Sequence, residues 1–382
     1  MSENEKMQLT KAELLLYLDV LAYFPEFSHR RYATVGEFIK EYFRLSGKKR
    51  PVTMFSGFCS DESSGVTALL KKAQRIKRLM ELPIIYSSAG SDKYTSVCLA
   101  EDTFSQDGKL TSREIYVIIG CNYRFGEYVS DLGKTSTWKD NFLGAVQTDT
   151  FEQKSILRFY DEAVKKALSD ERLSPRSRVT INLSGHSKAG NLAQYIAVMR
   201  DNADYCYSFD GQGFSRRFLA KYSAEIDKRG RKIINICPDI SIAGSLLDPI
   251  PNARTVFIET GFMREKGAHT MPLYYHIPVS VLDKDGKMRP VIKKREAFSD
   301  MLHRVSVLSV SLAERASFID EKRGLGNIGS AIMHFFKGHY LKAIKSLLNK
   351  DSLLMLAVAA AVFGVYFPAA AAETIKRRNK RR

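Results

Sequence analysis

The stretch Val179-Thr-Ile-Asn-Leu-Ser-Gly-His-Ser-Lys-Ala-Gly-Asn-Leu-Ala193 places a serine where it could act as a nucleophile. An apolar strand runs into a tight turn with Ser187 at its apex, and a helical pattern follows. A serine held on such a strained strand-to-helix bend presents its hydroxyl clear of the sheet, at the positive end of the next helix. Only small residues fit two positions before and two after it. Gly185 meets that need fully and Ala189 less well, while Gly190, Ala193 and Ala197 let the helix lie close on the sheet. The backbone N–H of Lys188 is placed to receive a developing oxyanion.

A serine nucleophile needs a base, and the base needs an acid to orient it. On parallel-sheet hydrolases these follow in the order serine, acid, histidine. His269 ranks first as base because Lys266-Gly-Ala-His-Thr-Met-Pro272 is a Gly- and Pro-bounded loop after the last parallel strand. His276 opens an apolar run to Leu282 and reads as structural, and His303 falls in an amphipathic helix. Asp239 ranks first as acid because it follows the strand Lys232–Cys237 directly, at the carboxyl edge where catalytic groups collect. Asp248 and Asp210 compete; Asp210-Gly-Gln-Gly213 reads equally well as a turn shaping the pocket wall.

These groups must be carried by a sheet. Strand-like runs at Val179–Leu183, Tyr205–Phe209, Lys232–Cys237 and Thr255–Ile258 alternate with helical patterns at Lys188–Met199 and Phe214–Lys228. Near-continuous apolar strands separated by helices indicate a mainly parallel sheet covered on both faces. Upstream, two strands around Asp107-Gly108 form a hairpin, and Thr150-x-x-Gln153 caps a helix to about Leu168. The first eighty or so residues read helical, with capping boxes at Thr10-x-x-Glu13 and Thr34-x-x-Glu37. A third helix over Ser63–Glu81 crowds Lys71, Lys72, Arg75, Lys77 and Arg78; with no aromatic residues between them it reads as a solvated face, not a nucleic-acid surface.

At 382 residues, 45% apolar and 11% aromatic, the chain can bury a large core, which excludes general disorder. Its 5 cysteines include no CxxC pair, so neither a disulfide scaffold nor a thiolate metal site is expected. The net charge of +17 favours an anionic partner, a membrane face or nucleic acid. The start of the chain does not read as a secretory signal. Ser352 to Ala372 carries no charged residue; at about 1.5 Å per residue it spans roughly the 30 Å of a bilayer core. The basic run Lys376–Arg382 that follows argues for a cytoplasmic C-terminus. Just before the apolar segment, residues 326–350 have the pattern of an amphipathic helix suited to an anionic surface.

The elbow Gly185-His-Ser-Lys-Ala-Gly-Asn-Leu-Ala193 resembles that of the class 3 lipase-like α/β-hydrolases, and most nearly the bacterial Mbeg-like branch, whose elbow typically reads GHSKGGNLA. Ser208-Phe-Asp-Gly-Gln-Gly-Phe214, Pro238-Asp-Ile-Ser-Ile-Ala-Gly244 and Gly267-Ala-His269 are similar to further segments of that branch, as are Ile115–Cys121 and Trp138-Lys-Asp-Asn-Phe142. The likeness runs over about residues 95–280. It implies Ser187 as nucleophile, Asp239 as acid and His269 as base, with Cys121 where the second oxyanion donor would be. Ala189, Ile119, Cys121 and Asn141 depart from the family pattern, which typically has glycine, arginine, threonine or serine, and aspartate there.

The expectation is therefore an α/β-hydrolase-like domain over residues 1–325, with a helical part to about residue 90. An amphipathic helix (326–350) and a hydrophobic membrane segment with a basic tail (351–382) follow. The expected activity is hydrolysis of a carboxylic ester, lipid-like in character, without metal or organic cofactor, by a cytoplasmic domain held at an anionic membrane. A catalytically inactive hydrolase-fold scaffold is the first alternative and a basic nucleic-acid binder the second.

Overall fold

The computed structural model describes residues 9–28, 32–45, 65–88, 95–120, 137–260, 276, 278–316, 319–336 and 340–381. Helices α1 (Lys11–Leu21), α2 (Val35–Arg44), α3 (Val66–Ala73) and α4 (Lys77–Met80) come first, then β1 (Ile84–Ser87), β2 (Val97–Phe104) and β3 (Leu110–Ile119). The alternating part follows as α5 (Thr137–Leu143), α6 (Phe151–Leu168), β4 (Arg178–His186), α7 (Lys188–Met199), β5 (Tyr205–Phe209), α8 (Arg216–Lys221), α9 (Ser223–Arg229), β6 (Ile233–Pro238) and β7 (Arg254–Ile258). A short β8 (Val291–Ile292) precedes α10 (Ala297–Arg315), α11 (Glu321–Phe336), α12 (Tyr340–Leu347) and α13 (Lys350–Arg381).

Among the described residues the strands form one mixed 8-stranded sheet in plain sequence order. β1, β2 and β3 pair antiparallel, β3 to β7 pair parallel, and β8 closes the far edge antiparallel. This order has a consequence for coverage. Right-handed crossovers that always step to the next neighbour put every crossover helix on one face. The apolar side chains sort accordingly. Ile115, Val117, Ile181, Leu183 and Ile233 pack with residues of α6 and α7. Their alternate neighbours Tyr116, Ile118, Ile236 and Ile258 pack with α1, α2 and α3. Both faces are covered, but the second is closed by the N-terminal helices, far away in sequence. That explains α1, in which Leu14 to Leu21 are all buried.

Local signals act as expected at two of the three capping boxes read from the sequence. Thr10 with Glu13, and Thr150 with Gln153, form reciprocal capping boxes. At α2 the box is half formed: Thr34 accepts from the Glu37 N–H at 3.2 Å, but the Glu37 carboxylate reaches the Ala33 N–H instead. The helix expected over Ser63–Glu81 is split between α3 and α4, and that over Phe214–Lys228 breaks at Tyr222. The basic residues of the first are partly engaged, Arg78 holding Glu101 at 2.7 Å and Lys72 the Lys284 carbonyl.

The boundary expected at residue 325 falls inside α11. In α13, Lys350–Pro368 is long and apolar enough to cross a membrane, with a mean hydropathy of 1.7 and 22% of the segment buried. Met355 and Val362 are buried, and Met355 packs with Ala313, Leu325, Ala145 and Leu247. Leu353, Leu356, Phe363, Val365 and Phe367 on the same helix are exposed, as are Leu341, Ile344 and Leu348 before it.

Candidate active site

Ser187 sits between β4 and α7 with φ 60° and ψ −124°. A non-glycine residue there costs of order 1–3 kcal/mol, so the surroundings must impose it. They do so by crowding. A Cβ at Gly185 would lie 2.9 Å from the Gly190 nitrogen; one at Gly190 would lie 2.8 Å from Ser208 Oγ and 2.9 Å from Gly211 Cα. The Ser187 N–H donates to the Phe209 carbonyl at 2.9 Å, tying the bend to the next strand. Ala189 is accommodated as a buried residue beside Ile119 and Gly120.

The hydroxyl so presented meets a histidine. His276 Nε2 lies 2.8 Å from Ser187 Oγ, and His276 Nδ1 lies 2.6 Å from Asp210 Oδ2. The carboxylate is fixed in turn: its Oδ1 accepts from the Ser241 hydroxyl and from the Gly244 N–H at 2.9 Å. Gly244 is required for that approach, because a Cβ there would come within 2.7 Å of the same oxygen. Asp210 itself has φ 47°, a conformation that turns its side chain back across the strand end. Burial pushes the Asp210 carboxyl upward, but the His276 hydrogen bond and charge, with the Ser241 hydroxyl, outweigh it and hold the group below the ordinary carboxylate range. It is therefore the ionised partner that an imidazole acting as base needs.

Two sequence expectations change here. The carboxylate on the histidine is that of Asp210, not of Asp239, which had ranked first. Asp239 Oδ1 accepts from the Thr260 hydroxyl at 2.5 Å and from the N–H groups of Thr260 and Ile240, so it braces the end of β7. The histidine on Ser187 is His276, which the apolar run to Leu282 had marked as structural. His269 and Cys121 lie outside the described residues. Asp248 stands 3.7 Å from Arg216. Lys188 opens α7, where a backbone N–H projects from the helix terminus.

Three supporting groups carry a weaker sequence signal. Lys188 Nζ lies 2.8 Å from Asp140 Oδ2 with both side chains buried, so the acidic residue of Trp138–Phe142 that matters is Asp140, while Asn141 accepts from Gln212 through its carbonyl. His186 packs its ring 4.7 Å from that of His276, and its Nδ1 meets the Tyr23 hydroxyl. Burial and the neighbouring His276 hold the His186 imidazole well below its ordinary range, so it is neutral. Below the elbow, Asp19 of α1 accepts from the Ser184 hydroxyl at 2.7 Å, and burial drives its carboxyl well above the ordinary range. Asp19 was visible as a polar interruption of an apolar helix, with Tyr23 just past its end.

The fold and site define an α/β protein with a mixed sheet and a Ser–His–Asp relay at the carboxyl edge of its parallel strands. Residues 133–265 match the family model described as Mbeg1-like, a span that takes in Asp140, Ser187 and Asp210. No curated protein matches the chain.

Proposed function

We propose that the protein is a serine hydrolase of the α/β-hydrolase type, allied to the class 3 lipase-like enzymes, that cleaves a carboxylic ester of lipid-like character. The observation that carries this reading is the unbroken chain from Ser187 through His276 to Asp210, at 2.8 Å and 2.6 Å, on a backbone bend at φ 60°. In the reaction, His276 Nε2 takes the Ser187 proton as Oγ attacks the acyl carbon. The Lys188 N–H and the helix terminus stabilise the oxyanion, and His276 returns the proton to the leaving alkoxide. Water then enters by the same relay and releases the acid. Asp210 holds the Nδ1–H tautomer throughout. The apolar segment Lys350–Pro368 supports a membrane setting for the substrate.

A fluorophosphonate probe tests the proposal: the wild-type protein labels and Ser187→Ala does not. A series of ester chain lengths on the same pair then reads the acyl preference. A second reading, a scaffold of the same fold without activity, draws on a cavity of only about 10 Å³ that His276 and Asp210 line among the described residues. Equal silence of both proteins toward the probe would favour it.

A further inference from the structure

The acid of the relay is held from a segment with little regular structure of its own. Between β6 and β7 the chain runs through residues 239–247 with a 3-10 turn, Ala243–Ser245, in place of a crossover helix. Much of this buried backbone lies outside any ladder, so its N–H and C=O groups need partners from elsewhere.

Helix α10 supplies them. The Glu296 N–H at its start donates to the Asp239 carbonyl at 2.8 Å. Ser299 Oγ accepts from the Ser241 N–H at 2.8 Å and donates to the Ser241 carbonyl at 3.0 Å, so one hydroxyl grips both backbone groups of that residue. About two helical turns further along the same face, Ser306 Oγ accepts from the Leu247 N–H at 3.0 Å. α10 is itself braced, since Ala313 near its end packs in one core with Met355 of α13.

Ser241 is the residue whose hydroxyl donates to Asp210 Oδ1. A serine side chain turns among three staggered rotamers, so a lasting bond to the carboxylate needs the Ser241 backbone fixed. Ser245 Oγ reaches only the Ser241 carbonyl, at 3.0 Å, and the N–H depends on Ser299 among the described residues. Ser299 and Ser241 are 0% and 1% exposed, which leaves little room for water to take over either hydroxyl's task.

We infer that Ser299 is a positioning residue of the proposed hydrolytic relay: it fixes Ser241, whose hydroxyl holds the Asp210 carboxylate on His276. The inference rests on the hydrolase reading and adds to it a residue beyond the span that matches the family model. Ser299 acts on the relay and not on the acyl chain, so its loss should appear in kcat and not in KM.

Steady-state hydrolysis of para-nitrophenyl butyrate by the full chain in detergent tests this, with fluorophosphonate labelling as the check on the nucleophile. Ser299→Ala should lower kcat by about ten- to hundredfold, with KM within about twofold of wild type. Ser299→Cys, which keeps the size of the side chain and hydrogen-bonds only weakly, should lose kcat in the same direction. In a Ser241→Ala background, where the hydroxyl on Asp210 is already gone, Ser299→Ala should change kcat by less than about twofold. Ser306→Ala removes the other serine grip on the same segment and should leave kcat within about twofold of wild type. A wild type that does not label fails the hydrolase reading and takes this inference with it. With a wild type that labels, three results overturn the inference alone: wild-type kcat in Ser299→Ala and Ser299→Cys, an undiminished loss in the Ser241→Ala background, or an equal loss in Ser306→Ala.

Discussion

His276 Nδ1 and Asp210 Oδ2 lie 2.6 Å apart, and Asp210 is itself anchored by the Gly244 N–H at 2.9 Å, so the imidazole is oriented by a carboxylate that cannot swing away. Replacing it with an amide keeps the shape but favours the wrong tautomer. Asp210→Asn should therefore lower kcat/KM toward an activated ester by roughly 10³–10⁴. Asp239→Asn, which changes a brace of β7, should stay within about tenfold once corrected for folded fraction. Parallel esterase assays on the two variants decide between the acids.

The elbow's glycines make a stability prediction. A Cβ at Gly185 or Gly190 would press on backbone that has nowhere to move. Each alanine variant should lose about 2–3 kcal/mol in urea unfolding. Gly364→Ala serves as the control, since a Cβ there meets nothing within 4 Å and the helix gains propensity.

Lys188 and Asp140 form an ion pair at 2.8 Å with side chains 1% and 2% exposed. Lys188→Met leaves a buried carboxylate without its cation and should cost about 3–5 kcal/mol. The double variant K188M/D140L removes both charges and should regain most of that loss. Denaturant midpoints for the three proteins check the pairing.

Asp19 gives a pH signature. Its carboxyl is raised in the fold, so between the ordinary carboxylate pKa and the folded value the native state holds a proton that the unfolded chain has released. Stability from this residue is full below about pH 4 and falls as pH rises toward the folded value, by up to about 1.4 kcal/mol per unit. Asp19→Asn should remove that decline, seen as a flatter profile of melting temperature above about pH 4.

Much of this architecture could be read before any coordinates. The run Val179–Ala193 specified strand, bend and helix because apolar β-branched residues, a glycine at the crowded position and small helical residues agree with one another. α7 and β5 fall where the periodicity placed them. The acid and base were legible only as candidates. Asp210 and Asp239 each follow a strand, and what separates them is a φ of 47° and the reach of Ser241 and Gly244, both set by tertiary packing. His276 sits 89 residues from Ser187 at the head of an apolar run, so local pattern argued for core. The role of α1 as cover for the open sheet face followed from strand order, which no single segment reveals.

That cover has a cost in time. The bond from Ser184 to Asp19 spans 165 positions of chain. At roughly 5–20 residues per second of synthesis, the first helix emerges about ten to thirty seconds before the strand that shelters it. During that interval the apolar residues of this helix have only α2 and α3 to pack against, without the sheet. Completion of this face of the sheet must therefore wait on strands from the middle of the chain.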